Sequence, residues 1–207
     1  MKKLVIALAI LIAVLFVAAW FQLMEARDQW RAGRSSEAIA TADRWSALHL
    51  WPSEYHQLLA AALLTAGNEA AARPQLAAIG HPWFPALDKA DVARHLFARG
   101  RYADFLAYDS ASQEHDSDEA LLYRAAAQTI TNQIDAASRT FAAIKPSGVD
   151  KQKYEHLRTA IDQRIRGVPP PFVFDRGNRV IDSDPDYAPI VLTIASRVDH
   201  NATVCAR

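Results

Sequence analysis

The hydrophobic pattern changes character along the chain. From Leu4 to Phe21 it is unbroken, eighteen apolar residues without a charge, preceded by Lys2 and Lys3. From about Met24 to Ile165 apolar residues return at the three-to-four spacing of one helix face. After Val168-Pro169-Pro170-Pro171 the runs are short and β-branched: Phe172-Val173-Phe174, Arg179-Val180-Ile181 and Pro189 to Ile194. Three elements follow: an apolar helix, a long helical body, and a tail of strand-like segments behind a stiff linker.

The apolar run would be about 27 Å of helix, close to the hydrocarbon thickness of a bilayer. Eleven Leu, Ile, Val or Phe residues between Leu4 and Val17 favour insertion by about 3–7 kcal/mol. Trp20 and Phe21 stand where an interfacial aromatic belt would. The rival reading is a cleaved signal peptide, with Val17 and Ala19 as the small residues before the cut. The run is longer than the ~7–15 apolar residues of a signal peptide, which favours an anchor. Lys2 and Lys3 on one side and Arg27, Arg31 and Arg34 on the other nearly balance. A short N-terminal stub then places the body outside the bacterial cytoplasmic (inner) membrane, in the periplasm.

A repeat lies within the helical body. Gly33, Gly67, Gly100 and Asn132 are spaced by 34, 33 and 32 residues. Seven residues before each stands an alanine (Ala26, Ala60, Ala93, Ala125), and five after come Ala38, Ala72, Phe105 and Ala137. Glycine, or asparagine as second choice, takes the left-handed conformation that ends one helix and turns into the next. Small residues on the facing sides let two helices approach closely. Each such hairpin needs a neighbour to bury its apolar face. Helices are predicted near 4–32, 35–50, 53–66, 69–79, 86–99, 102–113, 117–131 and 133–144, with a capping helix near 150–166. Pro52 and Ser53 start one of them, and Asp116 and Ser117 cap another.

With this period, its turn glycines and its small residues, the chain resembles the tetratricopeptide repeat (TPR) family from about Met24 to Pro146. Pro52, Pro85 and Pro146 fall near unit ends, where that family has its closing proline. The sequence departs from the pattern at Asp109 and Ser112, which occupy core positions, and at Arg124, which replaces a leucine. The resemblance implies a right-handed stack of helical hairpins. The expected fold class is all-α, with a transmembrane helix before the stack and a β-prone tail after it. The expected segments are 1–23 for the anchor, 24–146 for four hairpins, 147–167 for the cap, and 168–207 for the linker and tail.

The tail segment Phe172-Val173-Phe174-Asp175-Arg176-Gly177-Asn178-Arg179-Val180-Ile181 is similar to the Asp-Arg-Asn-Gly segment that leads into the extracytoplasmic part of penicillin-binding transpeptidases, with Gly and Asn exchanged. Their Ser-x-x-Lys nucleophile and Lys-Thr-Gly strand are absent from the sequence, so their activity is not carried over.

Composition narrows the function classes. Hydrophobic residues make up 51% and charged residues 22% of the chain, a globular balance. Lys+Arg and Asp+Glu are both 23, without a basic stripe, so nucleic acid is not an expected partner. Cys205 is the one cysteine, which excludes an intramolecular disulfide and a multi-cysteine zinc site. No nucleophile elbow, phosphate loop, dinucleotide fingerprint or zinc-helix motif occurs. Asp182-Ser183-Asp184-Pro185-Asp186 opens like a calcium loop but has Tyr187 at the glycine position and Thr193 at the closing glutamate, so it reads as a solvated acidic turn. Glu114, Asp116, Asp118 and Glu119 read as a loop and as negative charge at a helix start. No enzyme activity, metal, cofactor or small-molecule substrate is expected.

What remains is binding. In TPR-like stacks the first helix of each hairpin lines the concave groove. Trp30 and Phe97 stand three residues before their turns, and Arg27 and Arg94 six before. They are the expected partner-binding residues: apolar anchors and cations for an extended peptide or a carboxylate-bearing ligand. The competing reading makes the aromatics inter-repeat core and the arginines solvated. The expected function is a membrane-anchored scaffold or adaptor for a protein or peptide partner. Its rivals are the N-terminal regulatory part of a cell-wall transpeptidase, which predicts a Ser-x-x-Lys motif beyond Arg207, and a spacer with no specific ligand.

Overall fold

A computed structural model describes residues 2–46, 48, 50–112 and 116–166, and all secondary structure among them is helical. The helices are α1 (Lys2–Arg31), α2 (Ser35–Ser46), α3 (Pro52–Thr65), α4 (Glu69–Ala78), α5 (Lys89–Phe97), α6 (Tyr102–Ala111), α7 (Asp118–Ile130), α8 (Ile134–Ala142) and α9 (Lys151–Ile165). A 3-10 turn at Pro146–Gly148 precedes α9. The strand-like tail, its acidic turn and Cys205 lie outside the described residues.

The helices are paired by four turns of one kind. Gly33, Gly67, Gly100 and Asn132 have φ of 78°, 84°, 68° and 65°. At each, the turn residue's N–H donates three residues back and the next residue's N–H five back, as in Gly33 to Trp30 and Arg34 to Gln29. This pair of hydrogen bonds satisfies carbonyls that a helix end would otherwise leave bare, and it needs the left-handed residue that the sequence supplies. The eight flanking positions, Ala26, Ala60, Ala93 and Ala125 before the turns and Ala38, Ala72, Phe105 and Ala137 after them, are fully buried. The hairpins α1/α2, α3/α4, α5/α6 and α7/α8 are therefore built on one frame.

The chain divides into two compact units. The first contains α1–α4, and the second contains α5, most of α6 and α7–α9. In the first, α2 and α1 pack on α3, and the Trp30 indole N–H donates to Thr65 Oγ1 at 3.1 Å across the hairpins. In the second, the Phe97 ring meets Tyr102, Phe105 and Tyr123 edge-on at 4.9, 5.8 and 5.2 Å. There α9 covers α7 and α8, with Leu157 and Ile161 buried and Phe141 stacked on Tyr154. The helix expected near 150–166 is present as α9. A Cβ at Gly148 would overlap the Asp118 carboxylate, which also accepts the Lys145 N–H, so a side chain there would have to displace that carboxylate.

Two boundaries differ from the sequence reading by three residues or more. The helix expected from 86 begins at Lys89, because the N–H groups ahead of it are taken by side chains of α3. Glu54 Oε1 accepts from the N–H groups of Trp83 and Phe84, and Gln57 Oε1 from that of Ala86. The helix expected to reach 50 ends at Ser46, and Trp51 then takes a left-handed φ of 56° before Pro52 opens α3. The expected caps are partly met: Ser117 Oγ accepts from the Ala120 N–H, whereas Asp116 is engaged elsewhere.

Candidate functional site

The four residues expected to bind a partner divide into core and surface. Trp30 and Phe97 are 0% and 1% exposed, and Leu64 and Thr129, in the same row three before the turns, are buried as well. This row packs between helices, so neither ring is a surface anchor. The groove expected from Trp30 and Phe97 is corrected to core. Arg27 is partly exposed beside Asp28, at 3.4 Å. Arg94 bonds Asp91 and, at 2.9 Å, Glu119. Burial alone would lower the basicity of Arg94, but the hydrogen bond and charge of Glu119 outweigh it and raise its pKa. Arg27 and Trp30 belong to the first unit, Arg94 and Phe97 to the second.

Two of the three departures from the repeat pattern, Asp109 and Arg124, are partners. Arg124 bonds both carboxylate oxygens of Asp109, one of them at 2.8 Å, and reaches Asp116 Oδ1 at 2.7 Å. Lys89 Nζ lies 2.8 Å from Asp116 Oδ1 and 3.6 Å from Asp109 Oδ1. Two cations thus face two carboxylates, with Lys89 and Asp109 almost fully buried. The Asp109 bond foremost raises the pKa of Arg124. Burial pushes Asp116 up, but bonds from Arg124 and Lys89 prevail and hold it below the usual carboxylate value. Mutual satisfaction is what permits four charges to sit among apolar helices. Each of the four charges finds an opposite charge among the others, so the arrangement fastens helices together. Among the described residues no group of three or more His, Cys, Asp or Glu is placed to hold a metal ion.

The first unit carries a different cluster at the root of its apolar helix. Along α1 exposed apolar residues run from Leu4 to Val17, and burial in the body begins at Ala19 and Leu23. Tyr55 fixes this junction, its hydroxyl donating to the Ala19 carbonyl at 2.7 Å. Burial pushes the Tyr55 phenol up to about 12. Around the junction stand rings from three segments. Trp51 meets Phe16 at 5.5 Å, Trp20 at 6.3 Å, Trp83 at 6.2 Å and Phe84 at 5.2 Å, and Trp20 meets Phe84 at 4.5 Å. All are edge-on, the arrangement that ring quadrupoles favour. A left-handed tryptophan costs about 1–2 kcal/mol of backbone energy, and these contacts hold Trp51 there. Of these rings Trp83 is 87% exposed, and in the same unit Phe21 is 65% and Leu48 48% exposed.

No family model, curated protein or solved structure matches the chain. Its geometry must therefore carry the functional reading. The sequence flagged Trp20 and Phe21 as interfacial. It missed Trp51, Trp83 and Phe84, whose signal was a pair of aromatic–proline neighbours (Trp51-Pro52 and Phe84-Pro85) in helix-poor segments.

Proposed function

We propose that the chain is a membrane-anchored, TPR-like adaptor without catalytic chemistry of its own, which binds a protein or peptide partner on the outer face of the bacterial cytoplasmic membrane. One observation carries the reading: α1 is a single helix whose first half is apolar and exposed and whose second half is the opening helix of the first hairpin. Length and composition alone would also suit a signal sequence. A cut after Ala19, however, would remove the carbonyl that accepts the Tyr55 hydroxyl and uncover the junction. That supports retention of the segment. The likeness to TPR hairpins is supported by the four equivalent left-handed turns and their buried small residues. With Trp30 and Phe97 in the core, partner contacts fall to partly exposed side chains such as Arg27 and Arg94.

The anchor is tested by alkaline carbonate washing of membranes, after which the full chain should remain in the pellet. A mature N-terminus at Trp20 in a soluble periplasmic extract would overturn it. A photo-cross-linking residue at Arg27 or Arg94 should give a discrete protein adduct in intact cells. Adducts at neither position would refute partner binding by these residues. A reporter fused after Arg207 that functions only outside the cytoplasm tests orientation.

A further inference from the structure

We infer that the aromatic collar of the first unit is a lipid-docking surface: Trp83, Phe21 and Leu48 insert into the headgroup–acyl boundary of the bilayer that α1 enters. The inference rests on the anchor reading and extends it from the helix to the body.

Length makes the case. Ring contacts with the body begin at Phe16, so the helix clear of the collar is Leu4–Leu15, twelve residues. Those residues span about 18 Å, roughly 12 Å short of a typical hydrocarbon core. The whole run to Phe21 reaches about 27 Å and nearly closes the gap. Phe16 and Trp20 cannot enter the membrane alone, however, because Trp51 and Phe84 are packed on them. Drawing the end of the apolar run to the interface therefore draws the collar with it.

The chemistry of the collar fits that position. Trp83 is positioned by its neighbours, since its backbone N–H donates to Glu54 Oε1 and its ring meets Trp51 edge-on. Trp83, Phe21 and Leu48 are exposed in the unit that carries the exposed apolar helix, and Phe21 closes the apolar run of that helix itself. Tryptophan favours the membrane–water boundary, where its ring meets acyl chains and its N–H meets headgroups or water. The rings carry no charge, so the surface should take a zwitterionic bilayer as readily as an anionic one.

The test uses the full chain with Cys205→Ser in phosphatidylcholine nanodiscs, labelled with an environment-sensitive fluorophore at Trp83→Cys, Ile12→Cys or Arg34→Cys. Nitroxide lipids quench either near the headgroup or deep in the acyl chain. The label at Trp83 should be quenched more by the shallow lipid, that at Ile12 more by the deep one, and that at Arg34 by neither. An unquenched label at Trp83 with a quenched one at Ile12 overturns the collar and leaves the anchor standing. An unquenched label at Ile12 removes the anchor and the collar together. A second label at Phe21→Cys should repeat the Trp83 pattern, and its failure to do so also overturns the proposal. Repeating the series with one-third phosphatidylglycerol should leave the quenching unchanged.

Discussion

In the first unit the hairpins are fastened by neutral groups, the Trp30 indole on Thr65 and the Tyr55 hydroxyl on the Ala19 carbonyl. In the second, Lys89, Asp109, Asp116 and Arg124 place four charges between helices of the same build. The shared frame of left-handed turns and buried alanines sets how closely two helices approach and leaves open what ties one hairpin to the next. The first unit buries a charge as well, since the Glu54 carboxylate accepts the N–H groups of Trp83 and Phe84. What differs is the partner of the buried charge, backbone N–H groups there and side-chain cations in the second unit.

This contrast is open to direct attack, since all five tryptophans, Trp20, Trp30, Trp45, Trp51 and Trp83, lie in the first unit. Tryptophan emission follows that unit alone, whereas far-ultraviolet circular dichroism follows both. The largest effect is expected from Arg124→Ala, which leaves Asp109 and Asp116 facing Lys89 alone. It should destabilise the second unit by about 3 kcal/mol. In urea the dichroism should fall early while the tryptophan transition stays in place. Coincident shifts in both signals would show that the units unfold as one.

The next test strikes the frame and should affect both units. Leucine at Ala60 or Ala93, each fully buried, should overpack its hairpin at a cost of about 1–3 kcal/mol. Ala60→Leu should move the tryptophan transition and Ala93→Leu only the dichroism. If neither variant unfolds earlier than the parent, these alanines are not the close-approach positions. A smaller loss, about 1–2 kcal/mol, is expected from Gly33→Ala or Gly100→Ala. No atom lies within 4 Å of a Cβ built at either glycine, so the cost is that of the left-handed backbone alone and should be similar in the two units.

Acidity should separate the units least, and in opposite directions. The lowered pKa of Asp116 contributes stability above about pH 4, the ordinary aspartate value, and that stability is lost as pH falls through its folded pKa. Tyr55 is raised to about 12, so its contribution is complete below pH ~10 and disappears as pH rises through 12. Acid should therefore weaken the dichroism transition first and alkali the tryptophan transition first. The reverse order would exclude these two groups as the sources.

How much of this was legible follows the range of the interactions. The turns at Gly33, Gly67, Gly100 and Asn132 are local events, and the residue types declare them. So do the alanines at fixed offsets, and each has the predicted burial. Trp30 and Phe97 were legible as a row but not as core, because the choice between groove and core depends on which neighbour covers the row. Asp109 and Arg124 read as two separate blemishes, since side chains fifteen residues apart meet only after α7 has folded back beside them. The late start of α5 was invisible for the same reason: the carboxylate that captures the Trp83 and Phe84 N–H groups sits on α3.

The unbroken course of α1 has a mechanical consequence. Its 30 residues form a rod of about 45 Å with no hinge where the apolar half meets the first hairpin. A protein tethered by a flexible linker explores a wide hemisphere above its membrane. With α1 in the bilayer, as proposed, the first unit would be held at a fixed height, and its bearing would change only with the tilt of the rod. A partner of the proposed adaptor would then have to present itself close to the lipid surface, within a narrow band of distances. Inserting three glycines between Gln22 and Leu23 would turn the lever into a leash.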